Sequence, residues 1–342
     1  MANRQGTFCE VARFLHMCKS IQSFQAFAAP NDRQERQSML SHAATVGLMI
    51  TGIALAAWML TQVDWANTVN SLADITAPDL IVALLATCLA FAGLATYDVV
   101  AVRHLALPGI SAGRAATAGA VAYGVSNFVG LPWLTGALVR KVFYRNAGIK
   151  VGSLMTVVLA SWIAFWITVA AIVGIVLALD DRVASMLGMP IAGTSVGIAL
   201  LSACAVLMIW LSRGRKIGLG AQILRTLPMR VTLLQCMAAL MDLIGSATVL
   251  YIFLPDGVAG SAASFFCLFV VAAGLGVVSH VPAGLGAFEG TIVLGLHADG
   301  QGNVAAGLIV YRAFRTVLPF LIASGVLCVA VLAQRNRAKH AP

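Results

Sequence analysis

The sequence predicts an all-α, polytopic membrane helical bundle of about seven to eight spans, and three observations support this. Hydrophobic residues make up 60% of the 342 positions and charged residues only 10%, unlike soluble domains. Most of the apolar segments are long enough to cross a bilayer core. Two of them, near 115–135 and 280–298, are interrupted by glycine and proline, which predicts broken or re-entrant helices. The segments lie near 43–63, 79–102, 115–135, 154–179, 191–212, 231–254, 262–281, 287–298 and 303–334.

We expect one membrane domain over 41–335, because spans of about 20 residues each use most of the chain. Residues 1–40 are polar and of mixed charge. They are either a disordered or surface-lying cytoplasmic extension or an artefact of start-site choice, with Met39 as the true start. The apolar run begins too late for a secretory signal. Residues 336–342 are expected to form a cytoplasmic tail.

The formal net charge of +9 gives orientation rather than a nucleic-acid partner, because cytoplasmic loops are enriched in lysine and arginine. If 115–135 is a re-entrant hairpin broken at Gly130-Leu131-Pro132, the basic loops fall inside and only Arg182 falls outside. This predicts a multi-pass protein of the bacterial inner membrane with both termini cytoplasmic. The seven cysteines lack metal-ligand spacing and no Walker motif occurs, so we expect no metal and no cofactor.

Five ionisable residues lie within apolar segments: Asp98, Asp242, Glu289, Arg312 and Arg315. Each costs at least ~2.5 kcal/mol at the bilayer centre and is therefore a candidate functional residue. Asp98 lies near the cytoplasmic end of its segment, where it either snorkels to the interface or serves transport. Asp242 has no partner nearby in sequence. It is either a paired structural carboxylate or a transport group.

Glu289 and Arg312 each lie ten residues from the outer turn 299–302, which predicts the same depth, roughly 15 Å below the outer surface. We expect a buried ion pair or a shared lipid headgroup, unless the pair only locks two helices together. Segment 287–298 spans only ~18 Å as a helix, so the preceding loop lies inside the membrane. Free amides in that loop would suit a phosphate; a kink filled by packing is the alternative.

Three motifs resemble the flippase half of the bacterial lysylphosphatidylglycerol synthase/flippase (MprF-like) family, and the resemblance extends over about 43–334. Ala283 replaces a glycine of the family pattern, and Arg315 stands where an aromatic residue is usual. The motifs are Asn127 to Tyr144 with Gly130, Leu134-Thr135-Gly136 and Arg140; Pro282 to Glu289, similar to Pro-Gly-Gly-Leu-Gly-x-Phe-Glu; and Tyr311-Arg312 followed by Pro319.

The resemblance implies a stand-alone lipid flippase that moves aminoacylated or other anionic phosphatidylglycerol-type lipid from the inner to the outer leaflet. Resistance to cationic antimicrobial peptides would follow. The synthase domain of the two-part relatives is absent, so no enzymatic activity is expected. Arg140 would attract the lipid, Arg312 and Arg315 would hold its phosphate, and Glu289 would contact an amine. The other candidates are Asn127 and Asp98 for transport, and Gly130, Pro132, Gly136, Pro282, Gly284 and Gly286 as broken-helix positions.

Two rival classes stay open. One is an intramembrane lipid-modifying enzyme with His280 and Glu289 as acid and base, although no nucleophile accompanies them. The other is a membrane scaffold that is the partner of a separate synthase. Small residues along 43–57 and 262–276 fit either internal helix packing or a homodimer.

Overall fold

The protein, seen in a computed structural model, is a bundle of α-helices. The structure describes residues 75–130, 132–149, 151–179, 193–214, 216–219, 222–255, 257–279, 281–297 and 302–339. The extension 1–40, the predicted span near 43–63 and His280 lie outside the described residues. The helices are α1 Ala77–His104, α2 Ala112–Val129, α3 Pro132–Tyr144, α4 Val151–Leu179, α5 Gly193–Ser212, α6 Met229–Ile252, α7 Ala262–Val278, α8 Ala287–Gly295, α9 Gly302–Arg312 and α10 Leu318–Lys339.

Five helices of the described part are long and apolar enough to cross a membrane: α1, α4, α5, α6 and the continuous helix formed by α9 and α10. The all-α polytopic class is therefore confirmed. Helix α7 is apolar but shorter, at 17 residues. The number of seven to eight spans stays a prediction, as do the membrane and the sides on which the termini lie. A small antiparallel hairpin, β1 Lys216–Leu219 with β2 Gln222–Arg225, occupies a predicted cytoplasmic loop between α5 and α6.

The first predicted break is confirmed between α2 and α3. Gly130 ends α2 with φ +87°, a conformation that glycine adopts without a steric cost. Pro132 opens α3, where its missing amide hydrogen leaves no bond unmade. The Thr135 hydroxyl lies within hydrogen-bond distance of the Gly130 carbonyl, at 3.1 Å, and of Ser126 Oγ, at 2.9 Å, so a side chain spans the break. Whether this hairpin enters and leaves on one side of a membrane stays a prediction.

The second predicted break is confirmed between α7 and α8. A single 3₁₀ turn, Pro282–Gly284, precedes α8, which has only nine residues. Ala283, Gly284 and Gly286 all have positive φ, at 55°, 65° and 81°. The expectation of free amides is wrong for two positions. Gly284 donates to the Val281 carbonyl at 2.8 Å, and Gly286 donates to Glu289 Oε2 at 2.8 Å, which caps α8.

A π-helical turn, Ala313–Val317, joins α9 to α10. Pro319 has no amide hydrogen to donate to the carbonyl four residues back, so the regular α pattern is interrupted here. The Leu318 amide instead donates to Ala313, five residues back. Such turns are frequent at functional sites. This one contains Arg315.

Small residues bring α1 and α6 into close contact at the centre of the bundle. A Cβ on Gly93 would lie 2.5 Å from the Ala238 carbonyl oxygen, and a Cβ on Gly245 would collide with the Ala86 carbonyl oxygen. Apolar segments pack in this way when their association depends on close backbone approach. Within 262–276, Gly274 packs against Trp166, which is internal packing; a homodimer stays a prediction.

Candidate functional site: a cavity between two broken helices

All five ionisable residues singled out from the apolar segments take part in ion pairs. Two pairs join four of these residues with each other, and the fifth residue, Asp98, pairs with Arg140. The pairs join residues that are 42, 73 and 23 positions apart in sequence. They are Asp98 with Arg140, Asp242 with Arg315, and Glu289 with Arg312.

Asp98 and Arg140 form a closed cluster between α1 and α3. Arg140 donates through Nε to Oδ1 at 2.8 Å and through Nη2 to Oδ2 at 2.6 Å, and Tyr144 donates to Oδ1 at 3.0 Å. Two glycines make room for it. A Cβ on Gly119 would lie 2.7 Å from Asp98 Oδ2, and one on Gly136 would lie 2.8 Å from Arg140 Nη1. The guanidinium also stacks on Tyr123, 5.0 Å from its ring centre.

This cluster is sealed from solvent, since Asp98 is 0% and Arg140 1% exposed. Snorkelling of Asp98 to the interface is therefore wrong. The carboxylate is instead buried with a matched bidentate partner. The attraction of lipid by Arg140 stays a prediction, and its side chain would first have to leave Asp98.

Glu289 on α8 and Arg312 on α9 lie at the same level, as their distances in sequence from the predicted outer turn indicate. Arg312 donates through Nε to Glu289 Oε1 at 2.7 Å and through Nη1 to the Ala283 carbonyl. Its guanidinium stacks 5.2 Å from the centre of the Phe288 ring. The predicted pair is confirmed. It also ties the 3₁₀ turn to the start of α8 and the end of α9.

Asp242 on α6 pairs with Arg315 in the π turn. Arg315 donates through Nη2 to Asp242 Oδ1 and through Nε to Ser246 Oγ, and Ser246 donates to the same Oδ1 at 3.3 Å. The guanidinium lies 5.1 Å from the centre of the Phe91 ring. Both residues are buried, at 8% and 7% exposure. Asp242 is thus a paired carboxylate, and whether the pair is structural or serves transport stays a prediction.

A cavity of about 200 Å³ lies between the two broken segments. Asn127 and Gly130 line it from the first break, and Ala283 and Gly284 line it from the second. Helices α1, α2, α4, α6, α7, α8 and α9 and the π turn also contribute to the wall. One buried water needs roughly 15 Å³ of cavity volume, so the cavity suits about a dozen waters. A lipid headgroup with a similar number of heavy atoms would also fit.

Polar hydrogens without partners are concentrated at this cavity. Four buried atoms of its lining residues form no hydrogen bond within the described chain: Tyr97 Oη, Trp162 Nε1, Arg312 Nη2 and Arg315 Nη1. Of these, Arg312 Nη2 also contacts Glu289 Oε1 in the ion pair. All four can donate a hydrogen bond, and the three that also lack an ion-pair partner are costly to leave buried and unpaired. The wall therefore suits a ligand rich in acceptor oxygens.

The formal charges around the cavity balance. Asp242, Arg312 and Arg315 line it, and Glu289 is bonded to Arg312. Aromatic rings form much of the remaining surface: Tyr97, Tyr123, Trp162, Phe165, Phe269, Phe288 and Tyr311. An ion entering this space is thus placed among rings and two neutral ion pairs.

The predicted site residues divide into four groups. Asn127, Gly130, Gly284, Arg312 and Arg315 line the cavity, and Glu289 is bonded to a lining residue. Asp98, Arg140 and Gly136 belong to the sealed cluster, Gly286 caps α8, and Pro132 and Pro282 are placed by their backbone only.

Sequence reasoning missed Tyr97, Trp162 and Ser246. A serine four residues after Asp242 falls on the same helical face, and this spacing was the available signal for Ser246. Tyr97 and Trp162 carry no such signal, because aromatic residues are ordinary in membrane segments.

No family model matches the chain. The chain is similar to an uncharacterised protein of Synechocystis sp., slr0712, with 25% identity over 312 residues. The match covers 90% of this chain and 96% of the relative. The similarity thus runs through both broken segments, and the relative's name describes no activity.

Proposed function

We propose that this protein is a lipid translocase that binds the phosphate-bearing headgroup of a phosphatidylglycerol-type lipid in the cavity and moves it between leaflets. One observation carries the proposal. Arg315, buried and with Nη1 unpaired, lies in the wall of a headgroup-sized cavity inside an apolar bundle.

A translocase must shelter a charged headgroup while the acyl chains stay in lipid, since an unpaired charge in hydrocarbon is very costly. Arg315 Nη1, Tyr97 Oη and Trp162 Nε1 supply three donors for phosphate oxygens. Arginine suits this task because its guanidinium stays charged and donates charge-assisted hydrogen bonds to phosphate oxygens. The resemblance to the MprF-like flippases supports the same assignment, with aminoacylated phosphatidylglycerol as one candidate lipid and cationic peptide resistance as its consequence.

The proposal assigns no catalytic residue, and the described residues contain no group of three histidine, cysteine or acidic side chains that could hold a metal ion. An inner-membrane location, cytoplasmic termini and the inward-to-outward direction are parts of this proposal. A separate synthase as partner belongs to the scaffold alternative.

The test is reconstitution of the purified chain in liposomes containing fluorescent phosphatidylglycerol or lysylphosphatidylglycerol, with an impermeant quencher outside. We expect loss of inner-leaflet protection faster than in protein-free vesicles. Arg315→Gln removes the unpaired Nη1 donor, whose charge-assisted hydrogen bond to a phosphate is worth about 1.5–3 kcal/mol, and should slow movement about tenfold or more. Arg213→Gln is the matched control, because Arg213 is exposed in the turn after α5 and does not line the cavity.

The alternatives give different results. A changed lipid mass would favour an enzyme, and no movement with unchanged mass and a folded protein would favour a scaffold. Undiminished movement by folded Arg315→Gln would remove this residue from the mechanism. Glycerol phosphate, added as a competitor of lipid binding, separates recognition of the phosphate from recognition of the whole lipid.

A further inference from the structure

The charge balance of the cavity limits how an anion can enter it. Asp242 and Glu289 offset Arg312 and Arg315 before any ligand binds. A monoanionic headgroup therefore leaves one negative charge without compensation, whichever donors it contacts. Such a charge in a poorly solvated site is strongly unfavourable, and a carboxylate in that position takes up a proton instead.

We infer that binding of an anionic lipid headgroup at Arg315 is coupled to the uptake of one proton by Asp242, so that the protein carries a proton together with the lipid. This inference rests on the proposed function. It adds a proton-binding site and a driving force, because a proton gradient would then act on lipid movement. The proton comes from water, forms an O–H bond on the carboxylate, and returns to water when the headgroup leaves.

Asp242 is the carboxylate suited to this role. Both hydrogen bonds that it accepts fall on Oδ1, which leaves Oδ2 without a bond from the described residues. Glu289 accepts bonds on both oxygens, from Arg312 and from the Gly286 amide, and its side chain is 25% exposed. Asp98 accepts three bonds inside the sealed cluster.

The surroundings of Asp242 contain few competing groups. Arg315 contacts it from the π turn, Tyr97 faces it from α1, Tyr311 faces it from α9, and Cys236 lies on its own helix. Tyr123 lines the cavity from α2, and Arg312 and Glu289 lie beyond Tyr311 as a pair. The lining residues of α4 and α7 carry no ionisable side chain.

The test counts protons during lipid binding by the purified full chain in neutral detergent. Short-chain phosphatidylglycerol is titrated into weakly buffered protein with a pH indicator. We expect one proton taken up per lipid bound. In a second measurement on the unmodified chain, the Kd should rise about tenfold per pH unit wherever Asp242 is charged in the free protein and protonated in the complex, because one proton is linked to one ligand.

Variants locate the proton. Asp242→Asn imitates the protonated carboxyl group and should bind the lipid with no proton uptake and with a Kd that does not change with pH. Asp79→Asn is the matched control, since Asp79 caps the start of α1 at Thr76 and does not line the cavity. It should keep the uptake of one proton. Phosphatidylethanolamine, whose headgroup has no net charge, should bind without a proton.

The outcomes separate the two proposals. Binding of phosphatidylglycerol with no proton uptake and a pH-independent Kd overturns the coupling but leaves the translocase intact. Uptake that persists in Asp242→Asn, or equal uptake with phosphatidylethanolamine, also overturns it. No binding of either lipid overturns both. If Asp242→Asn does not fold, the pH dependence of the unmodified chain decides.

Discussion

Removal of Arg140 should destabilise the fold itself, because it leaves Asp98 charged and buried. Arg140 supplies two of the three hydrogen bonds that Asp98 accepts, and neither residue is more than 1% exposed. Breaking such a pair costs about 3–5 kcal/mol, and full burial with bidentate geometry favours the upper part of that range. We expect this loss for Arg140→Met, whose side chain keeps similar length without charge.

The measurement is the free energy of unfolding in mixed detergent micelles, combined with a double-mutant cycle. Asp98→Asn together with Arg140→Met removes both charges and keeps an acceptor for Tyr144. It should recover at least about 2 kcal/mol of the loss, because no unpaired charge then remains. A loss below about 1 kcal/mol for Arg140→Met, or a double variant no more stable than Arg140→Met, would refute this reasoning.

Three further predictions concern individual side chains. Gly119→Ala should cost about 1–3 kcal/mol of unfolding free energy, because its Cβ would press on Asp98. Gly113→Ala in the same helix has open space and should gain about 0.5–1 kcal/mol, so equal effects would contradict the packing argument. Ala283→Gly should raise stability by up to about 1 kcal/mol, since φ of 55° is unfavourable for alanine; a loss would mean that its methyl group packs well. Trp162→Phe should weaken phosphatidylglycerol binding about threefold to tenfold in calorimetry without loss of stability, because the unpaired Nε1 donor disappears; unchanged affinity would exclude that donor from the site.

The sequence was sufficient for the fold class and for both helix breaks, because composition and the glycine and proline positions determine them locally. It was also sufficient for the Glu289–Arg312 pair. These residues flank one turn, so helical rise alone predicts their common depth.

The other two pairs were beyond sequence reasoning. Arg140 lies 42 residues after Asp98, and Arg315 lies 73 residues after Asp242. Contact over such distances in sequence depends on how the helices pack. Asp242 is positioned by the close approach of α1 to α6 at Gly93 and Gly245. Arg315 is positioned by the π turn that precedes Pro319. Neither the crossing of two helices nor the change of register in a turn can be read from hydrophobic periodicity.

The difference between these two pairs argues for different roles. In the Asp98–Arg140 pair both carboxylate oxygens are bonded, glycines fit closely around the side chains and solvent is absent, so a ligand has no free contact to make. In the Asp242–Arg315 pair one carboxylate oxygen and one guanidinium nitrogen have no bond from the described residues, and both residues border a cavity. An incompletely bonded buried pair is costly to maintain unless something else completes it. A phosphate on Arg315 and a proton on Asp242 would complete both halves, which is why the binding function is assigned to this pair and the structural function to the other.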